Sequence, residues 1–276
     1  MNHYISITLL TLFTVFTGFS QQTEKIKGSR NVTAIVTPIT TFERLVIGED
    51  FEIKLLQGLT NSVQIETDDN LHEVIQFSVQ DGSLSFNTTK RIRSSKKLDI
   101  TVTFKDSLQY IEVKKDAELS ALNDLTVPSL TLVTKESSRT ALTIKTDLFK
   151  LINSDKSKVE LNVTADKVTL ELNDNSRTEA LLNAPEITLD LYQRASARID
   201  GDTENLVIRA DNSITFRGEK LTANSTTLTN EGRAKVYIDT KNTLSLEASG
   251  YSETHIYGSP KIEIIKFEDQ AKLLKK

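Results

Sequence analysis

Histidines and carboxylates are the residues of this 276-residue chain that could catalyse a reaction or bind a metal, because the chain contains no cysteine. The absence of cysteine excludes disulfides, thiolate catalysis and cysteine-ligated metal sites. His72 and His255 lie about 180 residues apart with no further ligand type clustered near either, so we interpret both as ordinary histidines. No phosphate-binding loop, nucleophile elbow or dinucleotide fingerprint occurs. The sequence therefore predicts no metal site and no cofactor.

Acidic residues at predicted turns are the remaining candidates for catalysis: Asp68, Asp69, Asp174 and Asp211. Glycoside hydrolysis needs two carboxylates about 5–9 Å apart across a groove. Backbone sterics alone, however, favour aspartate and asparagine at turns. We predict that the chain is not an enzyme and has no catalytic residue. A polysaccharide lyase or hydrolase is the alternative that the carboxylates leave open.

A basic row is the strongest candidate for a binding site. Three cations recur at intervals of nineteen residues, with two further arginines nearby in phase: Arg139, Lys158 and Arg177, then Arg198 and Arg217. If each interval is one turn of a repeating structure, the cations stack on one another and could bind an anionic glycan. The competing interpretation is a solvated face that Glu160 and Glu179 neutralise.

The repeat that would position this row is visible in the apolar residues. Pairs of apolar residues follow one another at nineteen-residue intervals: Leu130/Leu132, Phe149/Leu151, Val168/Leu170, Ile187/Leu189 and Leu206/Ile208. We place Ile111/Val113 before them in the same register. Later pairs follow at spacings of twenty and eighteen: Leu228, Leu244/Leu246 and Ile262/Ile264. Three of the four prolines stand two positions before such a pair, where a residue without an N–H suits the start of a strand.

Each repeat also contains a second alternating strand, such as Val159/Leu161/Val163, separated from the first by a polar turn. Two short strands with their turns in about nineteen residues leave no room for a βαβ crossover. The unit that fits is one coil of a parallel β-helix, with apolar ladders facing inward. The sequence therefore predicts an all-β fold, a β-solenoid with coils of about nineteen residues.

The first twenty residues differ from the rest. An apolar stretch at residues 5–19 is followed by a small-x-small pattern at Gly18 and Ser20. This layout is typical of a cleaved signal peptide, and the apolar stretch is shorter than most membrane-spanning helices. We predict export to the periplasm or to the cell surface, with no membrane span in the mature chain. A retained anchor helix is the alternative.

These observations divide the chain into a signal peptide at residues 1–20, a lead-in at 21–39, a solenoid domain at 40–265 and a tail at 266–276. Within the solenoid, residues 40–107 are less regular and are predicted to form the first coils and a cap, whereas residues 108–265 are the regular repeats. Gln80-Asp81-Gly82 is a hairpin turn signal. The densest positive run, residues 90–97, is predicted to be a solvated hairpin loop between two strands.

Four segments of the chain resemble one bacterial family, DUF2807, the putative auto-transporter adhesin head (GIN) domain: residues 51–58, 62–71, 79–86 and 246–260. The resemblance covers about residues 40–264 and implies a right-handed parallel β-helix in an exported protein, mostly from Bacteroidetes-type bacteria. The name of the family implies adhesion. Its repeats usually carry Ser-Gly-Ala-Ser at the turn between strands, which only Ser249-Gly250 keeps here. We therefore expect the other turns to be wider and more polar.

A formal net charge of −4, a pI of about 5.6 and scattered charges argue against nucleic acid as a partner. The predicted function is that of an exported, non-enzymatic scaffold that adheres to a cell-surface glycan or to another envelope protein. Besides the enzyme, a purely structural envelope protein is a further alternative. The sequence leaves the oligomeric state open.

Overall fold

The computed structural model describes residues 24–276, so the predicted signal peptide lies outside the described residues. The amino-terminal part contains one 3-10 turn, Asp69–Leu71, and nine strands: β1 Lys25–Lys27, β2 Val32–Pro38, β3 Arg44–Ile47, β4 Glu52–Gln57, β5 Ser62–Asp68, β6 Ile75–Gln80, β7 Ser83–Thr88, β8 Arg91–Ser94 and β9 Leu98–Phe104. Within residues 24–276 there is no helix of the length and hydropathy needed to cross a bilayer.

Sixteen strands form the rest of the chain: β10 Tyr110–Val113, β11 Glu118–Ala121, β12 Leu125–Thr126, β13 Ser129–Thr134, β14 Arg139–Lys145, β15 Leu148–Asn153, β16 Lys158–Thr164, β17 Lys167–Leu172, β18 Arg177–Asn183, β19 Glu186–Leu191, β20 Ser196–Ala210, β21 Thr215–Asn230, β22 Lys235–Ala248, β23 Glu253–Tyr257, β24 Lys261–Phe267 and β25 Lys272–Lys275. Each of them pairs in parallel with its counterpart one coil away. The predicted parallel β-solenoid is confirmed.

The coils present two faces. Face A contains β10, β13, β15, β17, β19, the second halves of β20 to β22, and β24. Face B contains β11, β12, β14, β16, β18, the first halves of β20 to β22, β23 and β25. Three prolines precede face A strands as expected: Pro128, Pro185 and Pro260.

One column of aliphatic side chains runs inside face A from end to end. Its members, in stacking order, are Leu84, Leu45, Ile111, Leu132, Leu151, Leu170, Leu189, Ile208, Leu228, Leu246 and Ile264. All are buried except Ile264, which is 53% exposed. Each buried member stabilises the fold by about 1.5–3 kcal/mol relative to an exposed one. The column confirms the predicted stacking of Leu132, Leu151, Leu170 and Leu189.

The register predicted for Ile111 is wrong. Ile111 pairs with Leu132, twenty-one residues on, and not with Leu130. On face B, Ser120 pairs with Ala141, whereas Leu125 pairs with Ile144. Two extra residues therefore lie between Ser120 and Leu125, in the segment 121–124, and they lengthen this one coil.

From β10 onward, each coil passes from face A to face B through a four-residue corner with one left-handed residue. The left-handed positions have φ between 59° and 72°: Lys115, Glu136, Asp155, Asp174, Gln193, Asn212, Gly232, Gly250 and Asp269. The expectation of wider turns is wrong, because corners without glycine keep the same length and conformation as the Ser249-Gly250 corner. Carboxylates support them: Asp155 accepts a hydrogen bond from the backbone N–H of Glu136 at 2.8 Å, and Asp174 from that of Asp155 at 3.2 Å.

The amino-terminal coils are stacked out of chain order. We call the strands of one coil a rung. β3 and β4 form the rung next to β10 and β11. β7 and β9 come after β3 and β4 in the chain, but they form the next rung outward, on the far side of β3 and β4. Antiparallel strands then close the stack: β6 pairs with β7, β5 with β9, and β2 with β5. We call β2, β5, β6 and the turn after β5 the amino-terminal cap. Gln80 and Ser83 flank the β6–β7 hairpin, as the Asp81-Gly82 turn predicts.

Three peripheral segments are integrated into the sheet system. Residues 90–97 do not form a hairpin loop, because β7 and β9 occupy the two faces of one rung and the segment between them turns a corner. Its strand β8 pairs in parallel with β1 of the lead-in. At the other end, the segment set apart as a tail carries β25, which pairs with β23 and completes the last coil.

Candidate functional site

The predicted basic row forms a column on the outer surface of face B. Arg139 pairs with Lys158 and Lys158 with Arg177, so the three residues occupy successive rungs, about 4.8 Å apart. Their side chains point outward because the alternate residues of each strand, Thr140 and Val159 among them, are buried. The column is therefore a line of exposed positive charge about 10 Å long.

Only one end of this column is neutralised. The guanidinium of Arg139 forms an ion pair with the carboxylate of Glu118 on the preceding rung. Within residues 24–276, Lys158 and Arg177 have no carboxylate within 4.0 Å. Two cations on adjacent rungs thus remain available to an anion from solution.

A second column lies two residues further along each strand and has mixed charge. Ala141 pairs with Glu160, Glu160 with Glu179, Glu179 with Arg198, and Arg198 with Arg217. Arg198 and Arg217 therefore extend this second column and not the basic one, whose next members are Ser196 and Thr215. Glu160 and Glu179 are exposed neighbours of the basic column.

A shallow trough of about 730 Å³ runs across these rungs. Small side chains make the hollow, since Ala121, Ala141 and Ala180 line it. Leu122 and Leu181 also line it and are 56% and 42% exposed. A smaller hollow of about 410 Å³ adjoins it, shares Ala141 and Glu160, and is lined by Arg139 and Lys158. Together the two hollows connect the basic column with the carboxylates and exposed leucines.

The carboxylates considered for catalysis from the sequence lie at three separate places in the fold, the amino-terminal cap and two corners. Asp174 supports a corner, as described above. Asp68 is buried in the amino-terminal cap and accepts a hydrogen bond from the backbone N–H of Lys96 at 2.7 Å. Hydrogen bonds from Ser29 and Asn31 lower the pKa of neighbouring Asp69. Asp211 lies beside the left-handed residue Asn212 of a later corner and bonds to its N–H. Four other carboxylates line the larger hollow, Asp124, Glu160, Glu179 and Asp200. The sequence pattern indicated Glu160 and Glu179 only as neutralising charges.

The two histidines lie in separate parts of the fold. His72 contacts the hydroxyl of Thr33 in the cap, with 3.0 Å between Nε2 and Oγ1. His255 is buried on β23, where its ring stacks on Tyr237 at 4.3 Å between centroids. Burial, assisted by Lys276 and Lys235, lowers the pKa of His255 although the carboxylate of Glu253 opposes the shift. Within residues 24–276, no three histidine or acidic side chains are grouped closely enough to hold a metal.

Comparison with known proteins identifies the family. The family model described as "Putative auto-transporter adhesin, head GIN domain" (DUF2807) matches residues 41–260, which is most of the chain. The chain belongs to this family. The resemblance of residues 51–86 and 246–260 is thereby confirmed. No curated protein sequence matches the chain.

Solved structures share the fold of this GIN-domain protein at low sequence identity. A putative adhesin from Parabacteroides distasonis ATCC 8503 is 14% identical, with a TM-score of 0.62 over 92% of this chain and 100% of that chain. A putative lipid binding protein from the same strain is 12% identical, with a TM-score of 0.61 over 91% and 97%. A putative adhesin from Parabacteroides merdae ATCC 43184 is 14% identical, with a TM-score of 0.56 over 92% and 99%.

Proposed function

We propose that this GIN-domain protein is an exported, non-enzymatic scaffold that binds an anionic glycan through face B. The observation that carries the proposal is the exposed column of Arg139, Lys158 and Arg177 beside the trough. Export to the periplasm or cell surface is part of the proposal. It is supported by the apolar segment at residues 5–19 and by the adhesin description of the family.

The regular spacing of the column suits a polymer more than a small ion. Each rung repeats the same outward position about 4.8 Å further along the rod, so the cations face a ligand that also carries its charges at intervals. Lys158 and Arg177 have no partner to displace within the described residues, so binding an acidic sugar does not first require an ion pair to break. Exposed charge contacts of this kind are individually weak and depend on ionic strength.

The trough adds contacts that distinguish a glycan from a simple polyanion. Glu160 and Glu179 can accept hydrogen bonds from sugar hydroxyls, whereas Leu122 and Leu181 offer apolar surface to the C–H faces of a sugar ring. A strongly charged polymer without hydroxyls would instead meet repulsion from these carboxylates. The combination favours an acidic polysaccharide.

Enzymatic cleavage of such a polymer is the second candidate function, because Glu160 and Glu179 lie on adjacent rungs within one trough. Glycosidases use carboxylates about 5–9 Å apart. Against this function, both carboxylates are exposed and stack side by side in one column, so neither is desolvated as a general acid usually is. We therefore assign binding and not cleavage.

The binding proposal is tested with alginate, an acidic polysaccharide, and with dextran as a neutral one. We expect binding to alginate that weakens as salt rises and no binding to dextran. The triple variant Arg139→Gln, Lys158→Gln, Arg177→Gln should lose at least about tenfold in affinity. The matched control, Lys150→Gln, Lys167→Gln, Arg209→Gln, removes the same charge from face A and should bind normally. Equal loss in both triples would contradict a specific site.

Cleavage is tested on the same polymers by measuring new reducing ends and unsaturated products. We expect none. Product formation that disappears in Glu160→Gln or Glu179→Gln would establish the enzyme instead. If neither polymer is bound or cleaved, and neither a wider glycan array nor whole cells are bound, only the purely structural envelope role remains.

A further inference from the structure

The carboxyl-terminal end of the rod has a free sheet edge. Within residues 24–276, β24 pairs only with β22 and β25 only with β23, so one edge of each strand has no partner strand. Their apolar side chains are uncovered: Ile262 is 42% exposed, Ile264 53%, Ile265 56% and Phe267 43%. The side chains one rung inside, Leu244 and Leu246, are fully buried. An exposed apolar edge of this kind is a template for pairing with another strand.

A β-bulge determines which residues of β24 face the core side. Leu246 pairs with Ile264 but the next residue, Glu247, pairs with Lys266, so Ile265 is an extra residue. Ile262 and Ile264 align with buried residues of β22 before the shift, and the shift brings Phe267 into line with buried Ala248, so all three lie on the core side. Glu263 and Lys266 align with Ser245 and Glu247 and lie on the outer side.

We propose that the occupant of this edge is the β24 strand of a second copy of the chain, paired antiparallel about a twofold axis between Ile264 and Ile265. In that register Ile262 lies opposite Phe267 of the second copy, both on the core side. Glu263 lies opposite Lys266, both on the outer side, and Lys261 lies opposite Glu268. Each apolar residue meets an apolar residue and each charge meets its opposite, which is how cross-strand pairs stabilise a sheet.

The sequence of β24 selects this register over its neighbours. A slip by one residue would place Ile262 opposite Lys266, which mixes an apolar core-side position with a charged outer one. The bulge is what makes the favoured register possible, since without it Ile262 and Phe267 would face opposite sides.

The two ends of the rod also favour a closed pair over a filament. Among residues 24–276, the amino-terminal end is closed by the antiparallel strands β2, β5 and β6, so the parallel stack does not continue there. An isologous twofold contact uses the open carboxyl-terminal end of both copies, so the contact closes on itself.

The self-pairing is tested by sedimentation of the purified protein over a range of concentrations. We expect about twice the mass of one chain at high concentration. Lys266→Glu places two carboxylates opposite each other and should weaken association at least about tenfold, as should Glu263→Lys. The double variant Glu263→Lys, Lys266→Glu restores both pairs and should associate like the original protein. Lys150→Glu, on face A away from this end, is the matched control and should have no effect.

The register is tested with cysteine pairs, because the chain has no cysteine of its own. The variant Glu263→Cys, Lys266→Cys should form covalent dimers on oxidation, since opposite residues of antiparallel strands lie within disulfide distance. The variant Glu263→Cys, Ile265→Cys matches the slipped register and should cross-link much less. A wild-type monomer at every concentration, an unrescued double charge swap, or equal cross-linking by both cysteine pairs would overturn the proposal.

Discussion

The two terminal rungs of the rod differ in how far their core-side residues are covered. The face A column begins at Leu84 and ends at Ile264. Leu84 is fully buried, because β6 pairs antiparallel with the strand that carries it, whereas Ile264 is 53% exposed. Both side chains are aliphatic and both belong to a terminal rung.

The stability of a rung therefore depends on what covers it as well as on its own sequence. A coil in a solenoid obtains most of its apolar burial from its neighbours, so a rung with one neighbour is weaker than a rung with two. The amino-terminal rung gains its second neighbour from antiparallel strands of the same chain. For the carboxyl-terminal rung, we have proposed a second copy of the chain as that neighbour.

The largest expected change in stability comes from a substitution in the middle of the face A column. Leu170→Asp would bury an unpaired carboxylate between Leu151 and Leu189 and should destabilise the fold by more than about 4 kcal/mol in urea denaturation. Thr169→Asp, one residue away on the outer side, should change stability by less than about 1 kcal/mol. If both variants unfold alike, the assigned register and the core column are wrong.

The ends are compared directly by shortening the same kind of side chain at each. Leu84→Ala should cost about 2–5 kcal/mol, because it opens a cavity under the cap. Ile264→Ala should cost less than about 1 kcal/mol, because most of its surface is already in water. Both are measured by urea denaturation in the Lys266→Glu background, which keeps a second copy off the open end. Similar costs at the two ends would show that the exposed rung is covered after all.

Corner hydrogen bonds should contribute less to stability in the last coil than in a central coil. Asp155→Ala removes the acceptor for the backbone N–H of Glu136 and places alanine in a left-handed conformation, so we expect a loss of about 1–2 kcal/mol. Asp155→Asn keeps the acceptor and tolerates that conformation, and it serves as the control. Asp269→Ala removes the matching bond to Gly250 in the last coil. Its loss should be smaller in global unfolding, because a terminal coil frays independently.

Acidification from about pH 7 to pH 5.5 should weaken the open end, and this is the smallest expected effect. Burial lowers the pKa of His255, so the unfolded chain binds a proton more readily than the folded one. The corresponding stability is present above the ordinary histidine pKa of about 6.5 and is lost as pH falls below it. Lys235, Lys276 and Glu253 are the charged groups near the ring.

Hydrogen exchange of β23 and β25 measures this effect. Exchange there should accelerate between about pH 7 and pH 5.5 once the intrinsic pH dependence is removed, and His255→Gln should abolish the acceleration. The amino-terminal rung of β7 and β9 is the internal control and should show no such change. An identical response in the His255→Gln variant would assign the effect to other groups.

Much of the fold follows from the order of residue types along the chain. Alternation of apolar and polar residues over a nineteen-residue period fixes which side chains face inward, and stacking such coils buries them. The Leu132 to Leu189 column, the prolines at strand starts and the line of Arg139, Lys158 and Arg177 could all be predicted for this reason. Each depends on a spacing that is constant between adjacent coils.

Features that depend on contacts between distant segments were decided by the tertiary structure. One such feature is the order in which β3 and β7 stack. Periodicity does not reveal that the chain leaves the stack and returns with β7 on the outer side of β3. The two extra residues before Leu125 and the bulge at Ile265 are others, because a local insertion shifts the register only once the partner strand is known. The trough likewise arises from small side chains on three different rungs. Residue order alone is enough to tell which side chains face the core. The neighbours of each rung cannot be read from residue order, because pairing between remote strands is set by the packing of the whole stack.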